Sequence, residues 1–367
     1  MTNRQAKPDF ILAISLAILV AFGLLMVASA SVPLSQERFG ESYYYLKYQI
    51  LRGLLPGLAL LFIAYLIPYR FWRKAAFLLF AFGILSLVAV FIPGLGLSYG
   101  GAKRWLNLGF FSVQPAEFFK LIFVIYLAAW FDKGSAQLKK FSSGLIPFII
   151  VVFIPVILLA AEPDIGTMGV VLLIGVFLFF LAGANLYFFP IIIGSGISLL
   201  VLLTKIMPHA ANRLTVFFHP EIDPRGIGYQ INQALLAIGS GGFFGKGLGR
   251  SLQKFKYLPE PTSDSILAVI GEELGFFGIL SLLLLFGILI FRGFKIAQTA
   301  PDNFGRLLAA GIISWLAIQV LVNAAAISGL IPLTGITLPF VSLGGSSLCV
   351  NLAAMGILLN ISRYSKI

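Results

Sequence analysis

The stretch FILAISLAILVAFGLLMV, residues 10–27, contains one polar side chain, Ser15, and no charge. An α-helix needs roughly 20 such residues to cross about 30 Å of hydrocarbon. The stretch also lacks the alternating polar positions of a membrane β-barrel strand. Arg4 and Lys7 before it and Ala28-Ser29-Ala30 after it imitate a signal peptide, but the apolar run is too long for a typical signal core. It therefore predicts a first membrane-spanning helix.

The rest of the chain has the same character. Hydrophobic residues make up 59% of the 367 residues and charged residues 11%, a balance foreign to water-soluble domains. The formal net charge is +12, but the lysines and arginines stand between apolar runs, which favours membrane orientation and excludes nucleic acid as the expected partner. The one cysteine, Cys349, falls inside the last apolar run and is interpreted as a packing residue.

Apolar runs of spanning length recur along the whole chain. They predict an all-α fold, in which residues 1–367 form a single polytopic membrane domain with about ten transmembrane helices. The runs cover residues 10–31, 48–68, 75–93, 115–131, 145–161, 165–183, 187–206, 266–291, 307–328 and 341–360.

Basic residues between these runs predict the orientation. The positive-inside rule assigns to the cytosol both termini and the polar segments that contain Arg4, Lys7, Arg70, Arg73, Lys74, Lys133, Lys139, Lys140, Arg292, Lys295, Arg306, Arg363 and Lys366. The opposite, outer side then receives segments 32–47, 94–114, 162–164, 207–265 and 329–340. The large loop 207–265 precedes the eighth span and should fold against the helices, with a helix in GYQINQALLAIGS, residues 228–240.

Two features of this loop resemble ligand sites only superficially. The run GSGGFFGKGLG, residues 239–249, differs from a Walker A motif at Ser240 and Gly247, and is interpreted as a close-packing loop. His209 and His219 lack the regular ligand spacing of a metal site and are interpreted as structural.

A charged pair is expected just inside the membrane. Pro115 suits the first turn of a helix, on which Glu117 and Lys120 are three residues apart and able to pair. A charge inside the membrane is costly, so the pair is either functional or a structural lock between helices. Trp105, which follows Lys103 and Arg104, is either an interfacial anchor or a stacking surface for a sugar ring.

Acidic residues also mark two helix starts. In AAEPDIGTMG, residues 160–169, Asp164 is expected to cap a helix, which leaves Glu162 as a candidate for holding a cation or a basic partner. In YLPEPTSDSILAVIGEELGF, residues 257–276, Asp264 is either an N-terminal cap or a catalytic acid. Glu272 and Glu273 lie two turns deeper and are interpreted as internal pairing groups.

Five blocks carry a family resemblance. The sequences RWLNLGFFSVQPAEFFKL, EPDIGT, GIGYQINQALLAIGSGGFFGKGLGRSLQKFKYLPEP, GEELGFFG and GLIPLTGITLPFVSLGGSS follow one another from Arg104 to Ser347. They resemble the signature blocks of the SEDS family, the RodA, FtsW and SpoVE proteins of bacterial wall synthesis, and GLGRSLQKFKYLPEP is somewhat more similar to the FtsW and SpoVE branch.

The resemblance implies an activity and a catalytic residue. It implies a peptidoglycan glycosyltransferase that polymerises lipid II at the outer face of the bacterial cytoplasmic membrane. The family's proposed catalytic aspartate, in the context YLPE-x-x-x-D, falls on Asp264 without a gap. Thr262, Ser263 and Ser265 depart from the residues frequent around it, which puts the contribution of a neighbouring histidine in doubt. A class B penicillin-binding protein is the implied transpeptidase partner, beside other division or elongation membrane proteins.

The mechanism expected from this resemblance needs a base and positive charge. Asp264 is the expected general base for an inverting transfer. Lys120, Arg104, Arg213 and Arg250 are candidates for stabilising the leaving pyrophosphate, and a divalent cation, Mg²⁺ or Mn²⁺, held by Glu117, Glu162 or Asp264 is the alternative.

Two other functional classes stay open from the residues. One is a lipid II flippase that uses Glu117, Lys120, Glu272 and Glu273 to pass a polar headgroup, although the chain shows no inverted repeat with paired broken helices. The other is a scaffold that only recruits a transpeptidase, which would not need Asp264.

Overall fold

The computed structural model describes residues 7–99, 102–109, 111–134, 137–219, 222–223 and 226–365. Arg4 and Lys366, which contributed to the predicted orientation, lie outside this range.

The chain forms a helical bundle. Its helices are α1 (Phe10–Phe39), α2 (Tyr44–Leu66), α3 (Arg70–Ala89), α4 (Pro115–Lys133), α5 (Phe141–Ala161), α6 (Ile165–Leu181), α7 (Phe188–Ile206), α8 (Pro208–Phe218), α9 (Tyr229–Gly241), α10 (Ile266–Gln298), α11 (Asn303–Ile327) and α12 (Gly345–Ser362).

Each of the ten apolar runs coincides with a helix. Within the described residues, eight helices are long and apolar enough to cross a membrane: α1, α2, α3, α5, α7, α10, α11 and α12. The other two are α4, which carries Glu117, Lys120, Asp132 and Lys133, and α6, which is 17 residues long. The protein is therefore a multi-pass membrane protein, as predicted, and ten crossings remain a prediction.

Burial separates central from peripheral helices. The apolar windows of α11 and α12 are 72% and 94% buried inside the protein, whereas that of α7 is only 11% buried. The α7 helix is therefore the most lipid-exposed of the spanning helices, and the core is built around α11 and α12.

The predicted outer segment 94–114 contains a small sheet that the sequence did not reveal. Strands β1 (Gly96–Tyr99), β2 (Ala102–Asn107) and β3 (Ser112–Val113) pair antiparallel in the order β1-β2-β3, with Leu97 opposite Trp105 and Leu106 opposite Val113. Strands this short give too few alternating positions for periodicity to be recognised. The sheet leads directly into α4 and places Arg104 and Trp105 at one end of the bundle.

The described part of segment 207–265 contains two helices. Helix α9 confirms the helix predicted in residues 228–240, and α8 is an additional one. The glycine-rich run packs tightly against α10: a Cβ at Gly241 would lie 1.9 Å from the carbonyl oxygen of Gly271. Opposite Gly245, the α10 backbone leaves helical geometry at Gly275, where φ is 68° and ψ is −165°. The close-packing interpretation is therefore confirmed.

Three ion pairs mark one end of the bundle. At this end Asp9 pairs with Arg292, Arg70 with Asp302 and Arg73 with Asp132, and the main-chain N–H of Asp9 donates to the hydroxyl of Ser362. The beginning of α1 and the end of α12 therefore lie together there. Asp264 precedes α10, whose distant portion carries Arg292, so Asp264 lies at the opposite end.

Candidate functional site

Two adjoining cavities open at the Asp264 end of the bundle. One has a volume of about 600 Å³ and is lined largely by apolar side chains of α8, α9 and segment 329–335. The other, about 1290 Å³, has more polar walls, which include Trp105, Gln114, Lys254 and Ser346. The residues that line both cavities are Arg104, Arg213, Gln230, Asp264 and Gly335. The point where the cavities meet therefore combines one carboxylate with two guanidinium groups.

Asp264 does not cap the helix that follows it. Helix α10 begins at Ile266 after Ser265, and no side chain accepts a hydrogen bond at this cap. The Asp264 Oδ2 atom instead accepts a hydrogen bond from Gln230 Nε2 at 3.2 Å, and its buried Oδ1 atom has no hydrogen-bond partner within the described residues. The capping alternative is thus wrong, because the chain turns into the helix one residue too late for the carboxylate to reach its first N–H groups.

Burial shapes the acidity of Asp264. Desolvation, followed by the negative charge of nearby Glu260, raises the pKa of Asp264 to about 6, and the hydrogen bond from Gln230 opposes this rise. A carboxyl group with such a pKa is ionised at neutral pH and remains basic enough to take a proton from a substrate hydroxyl.

The two arginines that line both cavities, Arg104 and Arg213, donate hydrogen bonds to main-chain carbonyls. Within the described residues, neither forms a salt bridge with a carboxylate. Arg104 donates to the carbonyl oxygens of Glu162 and Pro163, and Arg213 Nη1 donates to that of Thr334 at 3.1 Å. Burial and the neighbouring charge of Arg104 lower the pKa of Arg213. Since no carboxylate within the described residues forms a salt bridge with either arginine, both guanidiniums keep N–H donors for an anionic ligand.

The predicted pair of Glu117 and Lys120 forms inside the protein. Lys120 Nζ lies 2.8 Å from Glu117 Oε1, and both side chains are nearly inaccessible. Lys120 Nζ also donates to Gln319 Oε1 at 3.2 Å and lies 5.5 Å from the ring centre of Trp315. Glu117 lines the larger cavity, whereas Lys120 is enclosed among α4 and α11 side chains and lines neither cavity.

In the turn between α5 and α6, Asp164 caps the helix as predicted, but Glu162 forms no hydrogen bond with a basic partner among the described residues. Asp164 caps α6, since its Oδ1 accepts from the main-chain N–H of Thr167 at 3.2 Å. Glu162 is fully buried, and neither carboxylate oxygen has a hydrogen-bond partner within the described part of the chain. Burial, then the charge of Asp164, raises the pKa of Glu162 to about 8, although Arg104 acts in the opposite direction. Its basic neighbour Arg104 binds the main chain of this turn, not the carboxylate.

Comparisons with known proteins agree with this architecture. A family model described as cell cycle protein, for FtsW, RodA and SpoVE, matches residues 9–367. Stage V sporulation protein E of Bacillus subtilis (strain 168) is 42% identical over 366 residues, which are 100% of both chains. A probable peptidoglycan glycosyltransferase FtsW of Trichlorobacter lovleyi is 41% identical, with 99% of this chain and 95% of that protein covered. This chain belongs to the FtsW, RodA and SpoVE family.

Solved structures of the family share the fold. A crystal structure of the rod shape determining protein RodA of Thermus thermophilus matches with a TM-score of 0.70 and 28% identity, over 98% of each chain. A chain from a structure that describes polymerization and crosslinking by a peptidoglycan synthase complex matches with a TM-score of 0.79 and 28% identity, over 97% of this chain and 98% of that one. The SEDS fold predicted from the sequence blocks is confirmed.

In this SEDS protein the two deep acids of α10 are internal pairing groups, as predicted. Glu272 pairs with Lys246, and Glu273 pairs with Lys254, each at 2.7 Å. Glu272 also accepts hydrogen bonds from the main-chain N–H groups of Leu252 and Gln253, at 3.1 and 3.2 Å. These contacts hold residues 246–254, which precede Asp264 in the chain, against α10, which follows it.

Of the two remaining predicted site residues, Trp105 lines a cavity and Arg250 does not. Trp105 is partly buried and lines the larger cavity, beside Gln114 and Ser346. Arg250 lies on an exposed turn, and it is not among the residues that line either cavity. Their roles in binding remain predictions.

The SEDS site also contains residues that sequence reasoning missed. Gln230 touches the Asp264 carboxylate, and Lys254 lines the larger cavity while pairing with Glu273. Gln230 stands on the helix that the sequence predicted, but only the folded loop places that helix against Asp264.

A divalent cation is the alternative source of positive charge at the site. No group of three or more His, Cys, Asp or Glu side chains within them is arranged to hold a metal ion. Glu117 pairs with Lys120 through Oε1, and its buried Oε2 has no hydrogen-bond partner within the described residues; Glu162 lines neither cavity. The divalent cation remains a prediction, and Arg104 and Arg213 are the positive charges that line both cavities beside Asp264.

Proposed function

We propose that this chain is a peptidoglycan glycosyltransferase that polymerises lipid II, with Asp264 as its general base. Curated relatives at about 40% identity bear the name probable peptidoglycan glycosyltransferase. The observation that carries the assignment of the base is the position of Asp264: its buried Oδ1 atom has no hydrogen-bond partner among the described residues, and it lines both cavities together with Arg104 and Arg213.

The proposed reaction transfers the donor's glycan to an acceptor hydroxyl. Asp264 takes the proton from the 4-hydroxyl of the acceptor sugar as that oxygen attacks the anomeric carbon of the donor. The bond from this carbon to the pyrophosphate breaks, and attack from the opposite face converts the α-linked donor into a β-linked glycan. Negative charge that builds on the departing pyrophosphate is stabilised by Arg104 and Arg213.

The side chains that line the two cavities suit the two parts of the substrate, the lipid and the sugars. The smaller cavity has apolar walls that include Met207, Val216 and Phe217, which suit the first isoprenoid units next to the pyrophosphate. The larger cavity has hydroxyl, amide and indole groups of the kind that hydrogen-bond to and stack on sugars. Trp105 is the proposed stacking surface, and Glu117, which is paired with the enclosed Lys120, is proposed to shape the floor of the larger cavity.

The orientation and partner belong to the same proposal. The site faces the outside of the cytoplasmic membrane and both termini lie in the cytosol, because the basic segments stand at the end opposite Asp264. A class B penicillin-binding protein is the proposed partner, supported by the similarity to a chain of a synthase complex that polymerises and crosslinks. Other division or elongation membrane proteins are proposed to recruit the pair.

A reconstituted assay with labelled lipid II tests the activity. The wild type is expected to make long glycan strands, alone or with its transpeptidase partner, and Asp264→Asn is expected to bind lipid II and make none. Asp223→Asn is the matched control, since Asp223 is an exposed acid of the same loop that accepts hydrogen bonds from the main chain at Gly226 and Ile227.

Three results would contradict parts of the proposal. Normal polymerisation by Asp264→Asn would remove Asp264 as the base. Translocation of lipid II by the wild type without polymerisation, both alone and with the partner, would favour the flippase. Crosslinking stimulated equally by wild type and Asp264→Asn, without new strands from either, would favour the scaffold.

A further inference from the structure

The main chain at Asp264 is held by a side chain of another helix. The Nδ2 atom of Asn323, on α11, donates to the carbonyl oxygen of Asp264 at 2.8 Å and to that of Ile336 at 2.7 Å. Asn323 is 1% exposed, so water does not compete for these bonds. Because the amide has two N–H donors and both are used, the side chain ties the Asp264 segment to segment 336–337.

A second amide stands one helical turn earlier on the same face of α11. The Nε2 atom of Gln319 donates to the carbonyl oxygen of Thr337 at 3.1 Å. Its Oε1 atom accepts from Trp315 Nε1 at 2.7 Å and from Lys120 Nζ at 3.2 Å. Gln319 is completely buried, and the acceptors of its amide determine which way the side chain points.

These contacts form one continuous path. It runs from the Glu117–Lys120 pair to Gln319, from Gln319 to Thr337, along the main chain to Ile336, and through Asn323 to the carbonyl of Asp264. Residues four apart on a helix face the same side, which is why both amides reach the same short extended segment.

We propose that Gln319 and Asn323 are positioning residues that set the Asp264 carboxylate for proton transfer and couple it to the buried Glu117–Lys120 pair. This inference rests on the proposed function of Asp264. The same inference gives the Glu117–Lys120 pair a structural role: it fixes the position of Gln319, and Lys120 does not contact the substrate.

The physical reason is the sparse support of the carboxylate itself. The one side-chain hydrogen bond to the Asp264 carboxylate found within the described residues comes from Gln230, at Oδ2, and the main-chain N–H groups of Asp264 and Ser265 also stabilise the carboxylate, so the direction of Oδ1 depends on the main chain. Loss of the Asn323 bond removes the side-chain hydrogen bond at the Asp264 carbonyl, while Ser342 Oγ and the N–H of Leu343 still hold the carbonyls of Ser263 and Thr262, so the expected change is a local shift at residue 264. A displacement of about 1 Å at a reacting group costs about 100-fold in rate. Loss of Gln319 acts through one more link and should cost less.

The test measures catalysis and local structure in the same proteins. Wild type, Asn323→Leu, Gln319→Met and the double variant are purified in nanodiscs, with Ser314→Ala as control. Ser314 is a buried residue of the same helix whose hydroxyl donates to the carbonyl of Ala310, one turn earlier, its one hydrogen bond found among the described residues. Polymerisation of lipid II gives kcat and KM, and hydrogen–deuterium exchange reports on peptide 260–268.

We expect Asn323→Leu to lower kcat about 100-fold, with KM within about twofold of wild type, and to speed exchange in peptide 260–268. Gln319→Met should give a smaller loss of the same kind, and the double variant should lose less than the product of the two single losses, because both act through one path. Ser314→Ala should match the wild type in both measurements.

The inference is overturned if Asn323→Leu keeps a kcat within twofold of wild type, or if exchange in peptide 260–268 is unchanged. It is also overturned if KM rises as strongly as kcat falls, since that pattern indicates general damage to the site. A wild type that makes no polymer in any setting contradicts the proposed function instead, and the exchange data still decide whether the two amides hold the Asp264 segment.

Discussion

The amide of Gln230 lies 3.2 Å from Oδ2 of Asp264 and donates to it, while Glu260 on the preceding turn places a second negative charge nearby. The two neighbours act in opposite directions: a donor stabilises the ionised carboxylate, and a like charge destabilises it. Because both are side chains that can be changed singly, the acidity of Asp264 can be tested from both sides.

The first prediction concerns the pH dependence of polymerisation. With a pKa of about 6 in the substrate-free protein, Asp264 loses its function as a base as pH falls through 6, so kcat/KM should decline on the acidic side. Gln230→Leu removes the donor and should move this decline to higher pH, and Glu260→Gln removes the like charge and should move it to lower pH. Rate profiles between pH 5 and 8 check this; shifts of the same sign in both variants would contradict it.

The second prediction concerns Glu162 and stability. Its pKa is raised to about 8, so the folded protein holds a proton that the unfolded chain releases above pH 4.5. The wild type should therefore lose stability as pH rises from about 4.5 to 8, on the order of a few kcal/mol in total. Glu162→Gln has no such proton and should be more heat-resistant than wild type at pH 9 and equal at pH 4.5. A difference in unfolding temperature that is constant with pH would contradict this.

The third prediction compares a buried with an exposed ion pair. Lys254 and Glu273 are 3% and 0% exposed in their side chains, and Lys254 Nζ also donates to the carbonyl of Gly249 at 2.8 Å. Lys254→Met leaves Glu273 buried beside fewer donors and should cost about 3–5 kcal/mol. Lys256→Met breaks the exposed pair with Glu37 and should cost less than about 1 kcal/mol. Denaturation in detergent micelles measures both; equal losses would show that burial does not decide the cost.

The fourth prediction concerns the break in α10. Gly275 has a φ of 68°, and a Cβ there would lie 2.4 Å from the main-chain nitrogen of Gly245. Gly275→Ala should therefore destabilise the protein and separate the glycine-rich loop from α10. Gly287→Ala, on the same helix with nothing within 4 Å, should be neutral or stabilise by up to about 1 kcal/mol. Folded yield and unfolding temperature compare the two, and normal stability of Gly275→Ala would refute the strain argument.

Much of the fold was predictable because spanning a membrane leaves few choices. A run such as residues 10–27 must pair its main-chain groups internally, and only a helix does so at that length. The helix starts at Pro115 and Ile165, the cap by Asp164 and the pair of Glu117 with Lys120 depend on contacts three or four residues apart, which sequence spacing reveals directly. The short strands around Trp105 escaped prediction because their pairing is not contained in any local period.

The sequence by itself determined that this protein is a helical membrane protein of the SEDS type with an acid at Asp264, since composition, local spacing and family blocks carry that information. Only the tertiary structure decided what Asp264 touches. Its neighbours Gln230, Arg213 and Asn323 come from three separate helices, and no spacing rule links them to residue 264. Folding of the large loop removes Asp264 from the helix cap and leaves one of its oxygens free within the described site, which distinguishes a candidate base from a structural acid.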